Sequence, residues 1–266
     1  MEYARPETLQ EAVGLLAAAG GDGRVLAGGT DLLAQMKLGR VSPLHIVDVK
    51  RVPELRGIEE SAAGFRIGAA VSGAELGEHA GLRAAWPGVV EAAELIGSTQ
   101  IQSRASLGGN LCNASPAADS VPALIAAEAV CTLVGPGGER SLPVADVVVA
   151  PGETALARDE LLVDFRLPPR PARAADAYLR LIPRSEMDIA VVGAGVNLAL
   201  DEAGVCVACR VALGAVAARP LFVSEAGEAL DVVVLLDNPD GGGLFDLEIF
   251  CVSTVDEDTG GKIKWS

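Results

Sequence analysis

Residues 27–33 read AGGTDLL, set between the strand-like RVLAGG at 24–29 and the helical stretch DLLAQMKLG at 31–39. A related glycine pair returns as SLGGNLCN at 106–113. In the first stretch Gly28 and Gly29 lack a Cβ, so the backbone can take positive φ and come close to another group. The hydroxyl of Thr30 and the N–H groups opening the helix, which starts at Thr30 or Asp31, can then accept a phosphate. The same residues also suit a plain strand-to-helix turn capped by Thr30 or Asp31. In the second stretch Gly108 and Gly109 read as a turn, followed by Asn110, Asn113, Ser115 and Asp119, whose donors and acceptors match sugar hydroxyls and phosphate oxygens. One such loop is an ordinary polar turn. Two together point to a long phosphate-bearing ligand wedged between subdomains.

Working outward, ETLQEAVGLLAAAG after Pro6 predicts a helix with Leu9, Val13 and Leu16 on one stripe, ended by the glycines at 20–23. With RVLAGG and HIVDV as strands it makes a small α/β unit. GFRIGAAVS at 64–72 is a further strand, and AELGEHAGLRAAWPGVVEAAELIG is helical in two pieces divided at Pro87 and Gly88. VPALIAAEA predicts a buried helix, CTLVGPGGERSLPV a hairpin turning at 136–138, and ELLVDFRLP another strand. PPRPAR at 168–173 is a connector, beyond which AYLRLIP, AVVGAGVNLAL and VCVACRVALGAV read as three strands, the last two joined at DEAG.

The bulk properties exclude several classes. Half of the 266 residues are hydrophobic, enough for a substantial core. No apolar run approaches the roughly 20 residues that a bilayer crossing needs, and MEYARPETLQ lacks the pattern of a signal segment. A cytoplasmic protein is expected. The formal charge of −15 repels phosphate backbones, so nucleic acid is an unsuitable partner, and an anionic ligand must be held by local N–H groups. Five cysteines, at 112, 131, 206, 209 and 251, show no disulfide spacing. Cys206 and Cys209 form one CxxC, but strict strand alternation puts residues three apart on opposite faces, which disfavours a shared metal. His45 and His79 have no neighbouring ligand cluster, so no metal site and no catalytic histidine are expected.

Two other glycine stretches are excluded by detail. IAVVGAGVNLAL at 189–200 begins like a Rossmann unit, yet the third glycine is replaced by Leu198 and a DEAG turn arrives where a helix should run. GPGGER at 135–140 lacks the lysine and hydroxyl of a P-loop.

AGGTDLL at 27–33, SLGGNLCNASPAAD at 106–119 and RSEMDIAVVGAGV at 184–196 resemble, in that order, the three signatures of the FAD-binding medium subunit of molybdenum hydroxylases. That group includes carbon monoxide dehydrogenase, xanthine dehydrogenase and hydroxybenzoyl-CoA reductase. The resemblance runs over about residues 1–222. It implies an α+β protein: a two-subdomain FAD-binding fold of the vanillyl-alcohol oxidase type over 1–56 and 57–170, then a smaller C-terminal α+β domain over 174–266. By position, Gly28, Gly29, Thr30 and Asp31, flanked by Leu26, Ala27 and Leu32, would hold the FAD pyrophosphate from one side. Leu107, Gly108, Gly109 and Asn110 would hold it from the other, Asn113, Ser115 and Asp119 would face the ribityl chain and phosphates, and Leu162 would lie near the ring. Arg180, Arg184 and Asp188 either tune the flavin, with Arg184 the cofactor-binding candidate, or form a strand-end ion-pair network.

The same resemblance implies partners: a large subunit carrying the molybdenum cofactor and a small subunit carrying two [2Fe–2S] clusters, assembled as a dimer of heterotrimers. Electrons would pass from these through FAD to an external acceptor. The absence of cysteine clusters agrees, since iron–sulfur ligands would belong to the small subunit. Where the family continues with helices rich in Ala, Glu and Arg, residues 231–266 give two strand-like runs, GGG and a cluster of acids, so this tail reads as altered or incomplete. A stand-alone FAD oxidoreductase and a flavin-free scaffold subunit are the alternatives. The first lacks a persuasive acid or base, and the second is opposed by the intact glycines at both turns.

Overall fold

The computed structural model describes residues 1–184 and 187–228, which form an α+β protein with three principal sheets in succession. The atypical tail over 231–266 lies outside the described residues. In the first sheet β1 (Glu2–Ala4), β2 (Gly23–Leu26) and β3 (His45–Asp48) are parallel in the order β1-β3-β2. Parallel neighbours need crossovers. These are α1 (Leu9–Ala18) and α2 (Leu32–Lys37). Thr8 caps α1 by accepting the Glu11 N–H at 3.2 Å, and the helix buries Ala12, Val13 and Leu16 as its stripe predicts. β1 has three residues, too few to show a period, and was not expected.

The second sheet is antiparallel, in the order β4 (Ile58–Ser61), β5 (Gly64–Gly68), β10 (Leu161–Leu167), β6 (Val130–Gly135), β7 (Gly138–Pro143). A two-stranded ribbon, β8 (Val148–Ala150) and β9 (Glu153–Thr154), is inserted before β10. The helical region is cut into three pieces where two were expected: α3 (Gly73–Glu78), α4 (Ala80–Ala85) and α5 (Pro87–Glu94). The extra break is made by His79, whose Nδ1 accepts the Leu82 N–H at 3.0 Å and starts a new helix. It is followed by α6 (Thr99–Gln102), α7 (Leu107–Cys112) and α8 (Ser120–Ala126).

β10 joins the two lobes energetically. Leu161 and Val163 belong to the core beneath α1 and β3, whereas Leu162, Phe165 and Leu167 belong to the larger core with Trp86, Leu111 and Leu124. A strand buried on both faces is rich in apolar residues, and LLVDFRL has five in seven. Its one carboxylate, Asp164, is 4% exposed and takes the Arg66 Nε–H at 2.8 Å.

The third sheet, β11 (Ala174–Leu181), β12 (Val192–Leu200), β13 (Cys206–Gly214) and β14 (Leu221–Phe222), is antiparallel and followed by α9 (Ser224–Glu228). The glycines that mimic a Rossmann opening have a packing cause: a Cβ on Gly195 would stand 2.5 Å from the Pro122 carbonyl of α8. The expectation that Cys206 and Cys209 face opposite ways is corrected. A bulge sets Cys206 opposite Leu200 and Cys209 opposite Leu198, so both pack on one small apolar cluster.

The third sheet is fastened to the second lobe by a buried ion pair. Asp176 Oδ1 stands 2.8 Å from Arg170 Nη1, Oδ2 accepts the Val89 N–H at 3.3 Å, and the guanidinium lies 4.3 Å over the Trp86 ring. Burial raises the Asp176 carboxyl to about 6 in spite of the pull from Arg170 and the α5 N–H groups. A pKa raised on folding means that the native state holds the extra proton, so this contribution is complete below the unfolded value and is lost as pH rises through about 6. In thermal melts the protein should therefore gain stability relative to Asp176→Asn as pH falls from about 7.5 to about 5. Equal slopes for the two chains would remove Asp176 as the cause.

Candidate functional site

The two glycine stretches meet. Gly28 presses its backbone on the segment leading into α7, so that a Cβ there would lie 1.9 Å from the Arg104 carbonyl oxygen. Gly29 takes φ +79°, the left-handed region in which a side chain is strained, and this reverses the chain from β2 into α2. On the other side, Asn113 Nδ2 donates to Asp31 Oδ1 at 3.3 Å and Gln35 Nε2 donates to Asn113 Oδ1 at 2.9 Å. Arg104, Gln35 and Asn113 thus clamp the start of α2 to both ends of α7.

This clamp has a chemical consequence. Asp31 occupies the N-cap of α2 but makes no capping bond, because its carboxylate is turned to Asn113. Among the described residues, the N–H groups of Gly28, Gly29, Thr30, Asp31 and Leu32 donate to no other group. Five successive donors over a left-handed glycine and a helix start are the kind of arrangement that can receive an anion. Such a receptor binds phosphate oxygens locally, whatever the net charge of −15. Loss of water pushes the Asp31 carboxyl above its ordinary value, against a hydrogen bond from Thr30 that lowers it.

The second stretch corrects one expectation. Gly108 and Gly109 form no turn: they lie in the first turn of α7, capped by Ser106, whose Oγ accepts the Gly109 N–H at 3.1 Å. Gly108 is glycine because a Cβ would stand 2.5 Å from the Ala69 carbonyl, and its N–H donates there at 3.2 Å. Leu107 is 1% exposed in the larger core, and Leu162, 4% exposed, lies in the same core on β10, the strand against which α7 packs.

The remaining predicted residues are drawn into structural duties. Asn110 Oδ1 accepts from the Ser120 hydroxyl at 2.7 Å and from its N–H at 3.3 Å, tying α7 to the start of α8. Ser115 Oγ accepts the Ala117 N–H at 3.3 Å. Asp119 accepts from the Tyr178 hydroxyl at 2.9 Å and from Arg180 Nη1 at 3.0 Å. Burial raises its carboxyl, while those two donors pull it back. Arg180, Arg184 and Asp188 divide their direct bonds: Arg180 is buried on Asp119, and Arg184, 80% exposed, makes a two-pronged pair with Asp188 at 2.9 and 3.0 Å. Leu26 is buried, and Ala27 and Leu32 are half-buried around the turn.

Several contributors escaped the sequence reading. Tyr178 sits in a plain alternating strand, and Arg104 acts through its carbonyl, which no side-chain pattern can signal. Lys50 Nζ donates to the Ala27 carbonyl at 3.1 Å and pairs with Asp48 at 2.8 Å. Gln35 alone left a signal, standing one helical turn after Asp31.

The fold and the uncapped turn suit a phosphate-bearing ligand. Residues 1–170 match the family described as the FAD binding domain in molybdopterin dehydrogenase, and residues 177–231 match the CO dehydrogenase flavoprotein C-terminal domain. The carbon monoxide dehydrogenase medium chain of Afipia carboxidovorans is 35% identical over 238 residues, 90% of this chain and 82% of that one. The xanthine dehydrogenase FAD-binding subunit of Escherichia coli O157:H7 is 35% identical over 226 residues, covering 84% and 77%. The solved carbon monoxide dehydrogenase from Hydrogenophaga pseudoflava superposes with a TM-score of 0.83 at 36% identity, over 86% of this chain and 79% of that one. The chain belongs to the family of FAD-binding subunits of molybdenum hydroxylases, which are oxidoreductases, and FAD is its cofactor.

A methyl group at position 28 would force the two stretches apart. Gly28→Ala should cost about 3 kcal/mol in urea unfolding, as overpacking against an immovable backbone does. A loss below about 0.5 kcal/mol would mean that the Gly28–Arg104 contact does not set the spacing.

Proposed function

We propose that this chain is the flavin station of a cytoplasmic molybdenum hydroxylase, taking electrons from [2Fe–2S] clusters of a small subunit and delivering them to an external acceptor. In this reading a large subunit carries the molybdenum cofactor, and the assembly is a dimer of heterotrimers. The relatives support it, since they are medium chains or FAD-binding subunits of carbon monoxide and xanthine dehydrogenases. Bound FAD supplies reversible acceptance of two electrons and their release one at a time.

The observation that carries the site assignment is the run of five unclaimed N–H groups from Gly28 to Leu32. It fits a pyrophosphate: four non-bridging oxygens with two negative charges need several convergent donors and little else. Gly28, Gly29, Thr30 and Asp31, with Leu26, Ala27 and Leu32 about them, take one side of that group. Leu107, Gly108, Gly109 and Asn110 take the other, with Gly109 exposed and Asn110 half-buried at the start of α7. Asn113, Ser115 and Asp119 border the sugar chain, with Leu162 beneath α7 and Arg184 at the rim of the third sheet. The two lobes, 1–56 and 57–170, are the jaws, and the domain that begins at 174 closes over them through Tyr178 and Arg180.

The full chain, purified and desalted, should keep absorption bands at roughly 370 and 450 nm and release FAD rather than FMN on acid treatment. A chain that neither retains nor takes up FAD would sink the flavin station. Co-purification of the native protein with a molybdenum-bearing subunit tests the assembly, and isolation as a lone active flavoprotein would refute it.

A further inference from the structure

Asp48 is 4% exposed, and a buried carboxylate needs partners. It has three: the Tyr3 hydroxyl donates to Oδ2, the Lys50 N–H donates to Oδ1 at 3.1 Å, and the Lys50 ammonium stands 2.8 Å from Oδ1. The ammonium then reaches on to the Ala27 carbonyl at 3.1 Å. The chain Tyr3–Asp48–Lys50–Ala27 starts in β1, passes the end of β3 and finishes on the residue before the glycine turn. Tyr3, Asp48 and Lys50 lie outside the predicted cofactor contacts, and Ala27 joins them only through its carbonyl.

From this we infer that Lys50 is a positioning residue for the dinucleotide turn, fixing the Ala27–Gly28 peptide so that the Gly28 N–H is presented to a diphosphate. The inference rests on the reading of residues 28–32 as the pyrophosphate receptor. A trans peptide is planar, with its carbonyl and the following N–H on opposite sides. Tying the Ala27 carbonyl to Lys50 therefore turns the Gly28 N–H away from Lys50. Gly28 has no side chain to restrict this peptide, and without the tether the plane is free to rotate at small cost. Asp48 holds the ammonium in place, and its own rotation is blocked by Tyr3 and by the Lys50 N–H. Lys50 also brings a positive charge beside the receptor in a chain whose net charge is −15. Its burial is partial, with 31% of the side chain exposed, so the field it lends is screened.

The test measures FAD affinity by quenching of flavin fluorescence in flavin-free protein, with ADP as a competing probe of the diphosphate subsite. Thermal melts of the flavin-free chains run in parallel. Lys50→Met should weaken both FAD and ADP by about tenfold, the worth of one charge-assisted hydrogen bond and the ordered donor that depends on it. Lys50→Arg should recover most of the loss, because its guanidinium can bridge the same two acceptors. The double variant Lys50→Met, Asp48→Asn leaves no lone buried carboxylate and should melt close to the parent while remaining weak for FAD. Parent-like FAD and ADP affinity in Lys50→Met and in the double variant overturns the role of Lys50 and leaves the receptor standing. Weak binding that tracks a lowered melting temperature in every variant also overturns it, because Lys50 would then act on the fold alone. Failure of the parent chain to bind FAD or ADP overturns the receptor and the inference together.

Discussion

The contact between the Gly28 backbone and the Arg104 carbonyl governs how the lobes meet. Two backbones can approach this closely only where one carries no Cβ, and the second lobe brings Arg104 to that point on the loop between α6 and α7. Once they touch, Asn113 at the far end of α7 comes within reach of Asp31 and Gln35. The carboxylate that would ordinarily cap α2 is then engaged across the lobe boundary. An open helix start is thus a product of the interface, and the receptor exists only when both lobes are in register.

The clamp is reinforced from behind by burial. β10 contributes alternate residues to both cores, so separating the lobes would expose Leu161 and Val163 on one side and unsettle Leu162 and Phe165 on the other. At about 25 cal/mol per Å² this apolar burial outweighs the few polar bonds across the boundary. The polar groups select the register, and the apolar strand supplies the adhesion. The third sheet is held by a different device: Pro122 of α8 lies with its carbonyl against Gly195 and its ring against Gly214, while Asp176 and Asp119 receive Arg170, Arg180 and Tyr178. Buried carboxylates of this kind are costly unless paired, so they favour a single docking geometry.

The fold was legible where period and punctuation were strong. The stripe of α1, the hairpin at 136–138, the run of β10 and the strands after PPRPAR all follow from local pattern. The two glycine stretches also touch, as the reading of two paired polar loops implied. Local pattern failed where a residue answers to something distant. Gly108 read as a turn, although its reason is the Ala69 carbonyl on another segment. His79 read as helix interior, although its ring makes a better cap than a helical side chain. Cys206 and Cys209 read as opposed, because a one-residue bulge leaves no mark in the sequence. Asn110 and Asp119 were recognised as polar groups of the right kind, but their hydrogen bonds go to Ser120, Tyr178 and Arg180.

That last displacement clarifies how an acidic chain can hold a dianionic group. Three carboxylates, Asp31, Asp48 and Asp119, are each committed to donors of the protein: Asn113, Tyr3 with Lys50, and Tyr178 with Arg180. Their charge is thereby turned inward or offset before any phosphate arrives. What remains facing outward is backbone N–H, which carries no counter-charge to neutralise and loses no rotamer freedom on binding. The surplus negative charge of the rest of the surface lies farther away, where salt screens it within about 8 Å at physiological ionic strength. In the proposed site, affinity for the diphosphate would be set within the first few ångströms of the turn, by the peptide planes from Ala27 to Leu32 and by the groups that keep them from rotating.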